Sequence, residues 1–286
     1  MQIPKGGIAF FDSGIGGLTV LAECKKRMPD EIFYYYGDNA HAPYGTLPRE
    51  TIFSYTQNAF AFFEKLNVRG AVLACNTATA ICAERLRQRY AFPIIGAEPA
   101  ILPSLTPGGK TLVLATPATI ESARFSRLRK IAQTRCPTAT LVCTPCPTLA
   151  GEIETHLFDE GYDYTKNLPT LAPNAVVLGC THYIYIKKRI QEFYNAPVYD
   201  GNEGIANRLR SLLCESPVLK KNRDGQPPLT APNGFTPQKG QRILRQDAFQ
   251  GKISAPIFFL GTGIERCYTV YEQMFANPYN KRDCDG

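Results

Sequence analysis

The feature that most limits how this chain can fold is a recurring run of apolar residues followed at once by a turn and an amphipathic stretch. Gly7-Ile8-Ala9-Phe10-Phe11, Gly70-Ala71-Val72-Leu73-Ala74, Thr111 to Ala115, Ala175-Val176-Val177-Leu178 and Ile257-Phe258-Phe259-Leu260 are such runs. None alternates apolar with polar residues, so each reads as a strand covered on both faces, as in a parallel sheet. Ile32 to Tyr36, Pro93-Ile94-Ile95-Gly96 and Leu141 to Cys143 are shorter strand candidates. Helices are predicted between them, over Leu18 to Arg27, 48–66, Ala78 to Tyr90, Glu121 to Gln133 and about Glu265 to Phe275. The 48–66 segment carries the clearest signal, because Ile52, Thr56, Ala59, Phe60, Phe63 and Leu66 recur at helical spacing. Strand and helix in alternation predict a doubly wound, parallel α/β architecture.

With 286 residues, 44% of them apolar, the chain is long enough for two such units with real cores. Its formal charge of +7 is spread without a block of five like charges. Lys187-Lys188-Arg189 and the Arg124 to Arg135 cluster therefore read as solvated helix faces, and no nucleic-acid partner is expected. No apolar run approaches a membrane span, so no membrane partner is expected either. Met1 to Gly7 has no long apolar stretch after Lys5, which argues against a secretory signal. The ten cysteines are accordingly expected to be reduced thiols in the cytoplasm rather than a disulfide framework. One segment breaks the alternation: Glu215 to Pro256 carries Pro217, Pro227, Pro228, Pro232, Pro237 and Pro256 and reads as a long surface excursion.

Two segments repeat each other 105 residues apart: Ala71-Val72-Leu73-Ala74-Cys75-Asn76-Thr77 and Val176-Val177-Leu178-Gly179-Cys180-Thr181-His182. Each apolar strand delivers a Cys to its carboxyl end, followed by polar residues able to cap a helix. In open α/β sheets ligands bind outside the strand carboxyl ends. A helix N-terminus there offers free N–H groups for a carboxylate and favours thiolate over thiol. Two opposed thiols suit stereoinversion at a carbon acid, where one face loses a proton as the other gains one. A thiol, with an ordinary pKa of about 8.5, is a workable acid and base near neutrality. The α-proton of an amino acid is far less acidic, so donors around its carboxylate must stabilise the carbanion; Ser13, Asn76, Thr77 and Thr181 are suitable.

Other signals are weaker. Cys143-Thr144-Pro145-Cys146 has no partner pair for a zinc ribbon. Gly14, Gly16 and Gly17 lack the third glycine of a dinucleotide loop, since Thr19 stands there. Cys24, Cys82, Cys136, Cys214, Cys267 and Cys284 read as small packing residues. Of the three histidines only His182 lies beside a candidate thiol, and His41 and His156 read as surface or packing residues.

At these residues the sequence resembles the cofactor-independent aspartate/glutamate racemase superfamily. The likeness rests on Phe11-Asp12-Ser13-Gly14-Ile15-Gly16-Gly17-Leu18, Gly37-Asp38 with Pro43-Tyr44-Gly45, Cys75-Asn76-Thr77, Ala115 to Ile120 and Gly179-Cys180-Thr181-His182. It implies two similar doubly wound parallel-sheet domains facing each other across a central cleft. The first would be discontinuous, 1–96 plus 211–286, and the second would span 97–210. It implies interconversion of L- and D-glutamate for peptidoglycan synthesis, with a small-molecule substrate, no cofactor, no metal and room for a homodimer. By the same resemblance Cys75 and Cys180 are the two catalytic bases, assisted by Asp12 and His182 respectively. Asp12, Ser13, Tyr44, Gly45, Asn76, Thr77, Thr181 and His182 would hold the substrate, with Thr119 an addition. A family glutamate follows the Cys-Pro element, and counting from Cys146-Pro147 selects Glu154, with Glu152 the fallback. Two departures stand out: Ile184 occupies the place of a family proline, and the 215–256 excursion is longer than the usual connection. The rivals are the same reaction on aspartate or another amino acid, a non-catalytic two-domain binder of acidic metabolites, and a hydrolase using Cys180 with His182. The last is disfavoured at this stage because residues so close on a strand-to-helix turn are expected to point apart.

Overall fold

A computed structural model describes residues 5–215, 241–246 and 256–276 of the chain. Two sheets organise it. The first contains β1 (Ile8–Asp12), β2 (Phe33–Asp38), β3 (Gly70–Leu73) and β4 (Ile94–Gly96). The second contains β5 (Lys110–Ala115), β6 (Thr140–Pro145), β7 (Ala175–Gly179) and β8 (Val198–Tyr199). In the first sheet these four lie in the order β4-β3-β1-β2, and in the second the order is β6-β5-β7-β8, the same arrangement shifted by four strands. Every pairing among these eight strands is parallel. The chain therefore folds the same αβ plan twice, as the repeated Cys segments lead one to expect.

Side chains along the first sheet divide strictly by parity, as the two-residue period of a strand requires. Ala9, Phe11, Tyr34, Tyr36, Phe258 and Leu260 enter one core with α2 (Arg49–Lys65) and α3 (Asn76–Arg89). Ile8, Phe10, Phe33, Tyr35, Ile257 and Phe259 enter the other with α1 (Leu18–Arg27). In the second sheet Leu112, Leu114, Val176 and Leu178 face α6 (Leu149–His156) and α7 (Lys187–Tyr194), whereas Val113 and Val177 face α5 (Ala123–Arg135). Continuous apolar runs are needed because both faces of each strand are covered.

The structure departs from the sequence reading in several places. Between the predicted strand ending at Ala115 and the predicted helix beginning at Glu121 the chain forms the one-turn helix α4 (Pro117–Ile120), capped by the Thr116 side chain. Helix α8 (Asn202–Glu215) straddles the expected domain boundary at 210/211. Its apolar face, Ile205, Ala206 and Leu209, sets the whole helix into the first core, so the chain re-enters the first half by residue 202. The 215–256 excursion contains a strand, β9 (Gln241–Gln246), which pairs antiparallel with β10 (Ile257–Thr262) and makes the first sheet mixed. The rest of that excursion, 216–240 and 247–255, lies outside the described residues. Helix α9 (Ile264–Ala276) follows β10 and packs Ile264, Cys267, Val270 and Tyr271 into the first core. Among the described residues no helix is long and apolar enough to cross a membrane.

Leu209→Ala tests the placement of α8. Removing this buried side chain from the first core should lower stability by about 2–4 kcal/mol in chemical denaturation, an effect too large for a helix lying free on the surface.

Candidate active site

In each sheet the strand order reverses next to one central strand, and a crevice opens there between strand carboxyl ends. In the first sheet it lies between β1 and β3, so Asp12, Ser13 and Cys75 come to its mouth. In the second it lies between β5 and β7, which brings Thr116 and Cys180 to the equivalent place. The two crevices face each other. The hydroxyls of Thr77 and Thr116 are 3.0 Å apart across the junction, Thr181 donates to Asp12 Oδ2 at 3.1 Å, and the Ile15 amide donates to Glu154 Oε1 at 3.1 Å.

Glycine makes that approach sterically allowed. A Cβ on Gly14 would fall onto the Glu154 carboxylate, and one on Gly16 would strike the Thr181 hydroxyl and the His182 ring. The loop after β1 is steadied from behind by the Tyr35 hydroxyl, 2.7 Å from the Gly14 carbonyl, and by the Cys267 thiol at 3.4 Å. Cys267 is thus a hydrogen-bond donor to the site loop as well as a packing residue.

The two thiols have different surroundings. Cys75 caps α3, its sulfur accepting from the Ala78 amide at 3.4 Å, and lies 3.5 Å from the Ser13 hydroxyl. Burial, and then the charge of Asp12, push the Cys75 thiol up to about 12, so it holds its proton at neutral pH. Cys180 is followed by the 3₁₀ helix Thr181–Ile186, which includes Ile184, rather than by an α-helix, and its sulfur makes no capping bond. Its backbone is extended (φ −148°, ψ 136°), and the tight 3₁₀ turn that starts at Thr181 folds the next side chains back toward it. That is why Cys180 Sγ lies 3.8 Å from His182 Nδ1, contrary to the expectation that they point apart.

His182 Nε2 lies 2.7 Å from Glu154 Oε1. Burial by itself would lower the imidazole's pKa, but the hydrogen bonds to Cys180 and Glu154 outweigh it and raise the pKa well above the ordinary value. Burial likewise works to raise Glu154, and the His182 contact overcomes it, leaving the carboxyl below its ordinary value. Glu152, the fallback, points elsewhere and accepts from Thr148 at 2.7 Å and from Tyr162 at 3.2 Å.

Asp12 is fully buried; Oδ1 accepts from the Gly14 amide at 2.9 Å and Oδ2 from Thr181, so neither oxygen is bonded to Cys75. Burial raises its carboxyl to about 6, with His182 pulling the other way. The Tyr44 hydroxyl donates to Asp38 at 2.7 Å, and the Tyr44 carbonyl accepts from the Leu47 amide at 3.1 Å. Gly45 itself abuts Thr116. Asn76 lines the cleft between the halves with Cys180 and Thr181. Thr119 lines a neighbouring part of the cleft with Asn76 and Thr79, and its hydroxyl is 2.9 Å from that of Thr116.

Thr116 and Asp38 lie in the motifs that carry the resemblance but receive no site role from it, and Tyr185 and Arg266 are not singled out from the sequence. Thr116 follows β5 as Ser13 follows β1, so extending the internal repeat to the first strand of each half would have found it. Tyr185 donates to the Ile15 carbonyl at 2.7 Å, and Arg266 lies against Glu154; no local pattern marks either.

Asp12→Asn separates the charge from the hydrogen bonds. Folding raises this carboxyl from 3.8 to about 6, so its ionised form opposes folding; the cost is absent below pH 3.8 and complete above about pH 6. The variant should therefore be more stable by about 1–3 kcal/mol at pH 8, with the gain vanishing as the pH falls to 3.8. Thermal melts across that range check both sign and window.

Known racemases share this fold. The Asp/Glu/Hydantoin racemase family profile matches residues 19–209. A glutamate racemase of Clostridium botulinum (strain Okra / Type B1) is 40% identical over 237 residues, covering 79% of this chain and 91% of that protein. The crystal structure of glutamate racemase from Francisella tularensis subsp. tularensis SCHU S4 in complex with D-glutamate aligns over 79% of this chain and 86% of its own, with 29% identity and a TM-score of 0.62. That of Escherichia coli glutamate racemase in complex with L-glutamate and the activator UDP-MurNAc-Ala aligns over 74% and 84%, with 28% identity and a TM-score of 0.63. With a family match over most of its length and a glutamate racemase 40% identical over 79% of it, this chain is a member of the Asp/Glu/Hydantoin racemase family.

Proposed function

We propose that the enzyme interconverts L- and D-glutamate by proton transfer at the α-carbon between Cys75 and Cys180, supplying D-glutamate for peptidoglycan. One observation carries the proposal: two cysteines at equivalent strand ends of two copies of one fold open toward the same junction, each with its own polar partners. In one direction the Cys180 thiolate takes the α-proton and the Cys75 thiol returns one to the opposite face. The reverse reaction starts from the opposite protonation states. At neutral pH the Cys75 thiol, held high by burial, is already the acid that the first direction needs.

Each remaining residue has a task in this scheme. His182, protonated by virtue of Glu154, passes and receives the proton at Cys180. Asp12 keeps Thr181 and the Gly14 amide in place and acts on Cys75 through its charge. Ser13, Asn76, Thr77, Thr181 and the backbone of Tyr44 and Gly45 donate to the substrate carboxylates, lowering the energy of the carbanion as it forms. Thr119 acts through Thr116 and Thr77. Substrate entry requires the halves to part, because the bonds from Thr181 to Asp12 and from Ile15 to Glu154 run straight across the site. A reducing cytoplasm keeps both sulfurs as thiols, and we place the enzyme there, as a monomer or a homodimer. The two sheets are its two domains, roughly 5–97 with 201–215, 241–246 and 256–276, and 98–200.

Incubation with L-glutamate in deuterated water should yield D-glutamate carrying deuterium at the α-carbon, with kcat/KM for aspartate far lower. Cys75→Ser and Cys180→Ser should each cut racemisation by a factor of about 10³ or more, because a hydroxyl is far too weak an acid to replace the thiol. Absence of exchange by the unaltered enzyme, or racemisation undiminished in both variants, overturns the reading.

A further inference from the structure

The C-terminal helix α9 belongs to the first half, yet one of its side chains reaches the second. Arg266 Nε is 3.2 Å from Glu154 Oε2, and the same guanidinium donates to the Glu154 backbone carbonyl. A planar fork that binds both the carboxylate and the main chain of one residue fixes its side-chain torsions as well as its position. The other oxygen of that carboxylate receives the Ile15 amide and lies 2.7 Å from His182 Nε2. The far ring nitrogen, Nδ1, is 3.8 Å from Cys180 Sγ. Four side chains thus stand in line from the C-terminal helix to one sulfur. Cys75 has no such line; its bonded partners are Ser13 and the Ala78 amide.

We propose that Arg266 is a positioning residue for the Cys180 side alone: it clamps Glu154 when the halves meet, and so holds a proton on His182 within reach of that sulfur. The proposal rests on the two-thiol reading above. Arg266 is 43% exposed, so the ion pair adds little to stability by itself. Its effect is geometric, and it ties one thiol's readiness to closure of the site.

The role can be separated from simple electrostatics by sign. The groups facing the His182 ring are Cys180 from its own turn, Glu154 from α6 and Asp12 from β1; Arg266 stands behind Glu154, near Tyr185 and Cys267, which burial keeps neutral. If Arg266 acted only as a nearby cation, removing it would raise the pKa of the ring. If it positions Glu154, removing it frees the carboxylate and lowers that pKa.

The chain has three histidines, so their titrations can be followed individually by NMR. In Arg266→Met the His182 titration should fall by about one pH unit. At pH 7 iodoacetamide should alkylate Cys180 more slowly relative to Cys75, as resolved by mass spectrometry, and kcat should fall about tenfold with KM little changed. Arg266→Lys, which keeps the charge but not the fork, should recover only part of each effect. A His182 titration that rises or stays, or Cys75 reactivity changing as much as that of Cys180, overturns the inference. Absence of racemisation by the unaltered enzyme would instead defeat the two-thiol reading, and the histidine titrations would still decide the role of Arg266.

Discussion

The buried carboxylate of Asp12 is the constraint around which the rest of the site is arranged. It sits at the end of a strand covered on both faces, where an ionised group is costly unless well bonded. One oxygen fixes the turn after β1 through the Gly14 amide, and the other receives Thr181 from the opposite half. That pair of bonds sets how closely the halves approach, and Gly14 and Gly16 are required at this spacing because any side chain there would collide with Glu154, Thr181 or His182. The price of the arrangement is a carboxyl raised to about 6, still partly compensated by the nearby imidazole.

On this frame the repeat of one topology brings two sulfurs to equivalent strand ends, but their environments differ. Cys75 is a helix cap, buried and protonated, with Ser13 alongside. Cys180 lies on an extended residue ahead of a 3₁₀ turn and faces an imidazole backed by Glu154. The asymmetry is one of environment: burial holds one sulfur as the thiol, and the other lies beside an imidazole held by Glu154.

Much of this was legible before any coordinates. The apolar runs from Gly7 to Phe11, Gly70 to Ala74 and Ala175 to Leu178 became buried parallel strands, since a strand covered on both faces has no polar alternation to display. The placement of Cys75 and Cys180 at strand ends followed from the same pattern. Helix α8 was not foreseen, and its fourteen residues cross the expected boundary because only contact with α1 and the first core decides which half it joins. Strand β9 escaped notice within a proline-rich segment because an edge strand owes its pairing to β10 rather than to its own composition. The approach of His182 to Cys180 has no signal in the sequence, because it depends on a 3₁₀ turn rather than an α-helix starting at Thr181.

The sequence by itself determined the α/β class, the doubled plan and the identity of the two strand-end cysteines. Those properties are encoded in side-chain periodicity over a few residues, and periodicity is a local quantity. Only the tertiary structure decided that Asp12 meets Thr181, that Ile15 meets Glu154 and that Arg266 reaches across to the same carboxylate. Those contacts span 112 to 169 residues of chain. They depend on how two separately packed crevices are set against each other, for which no local spacing carries a signal.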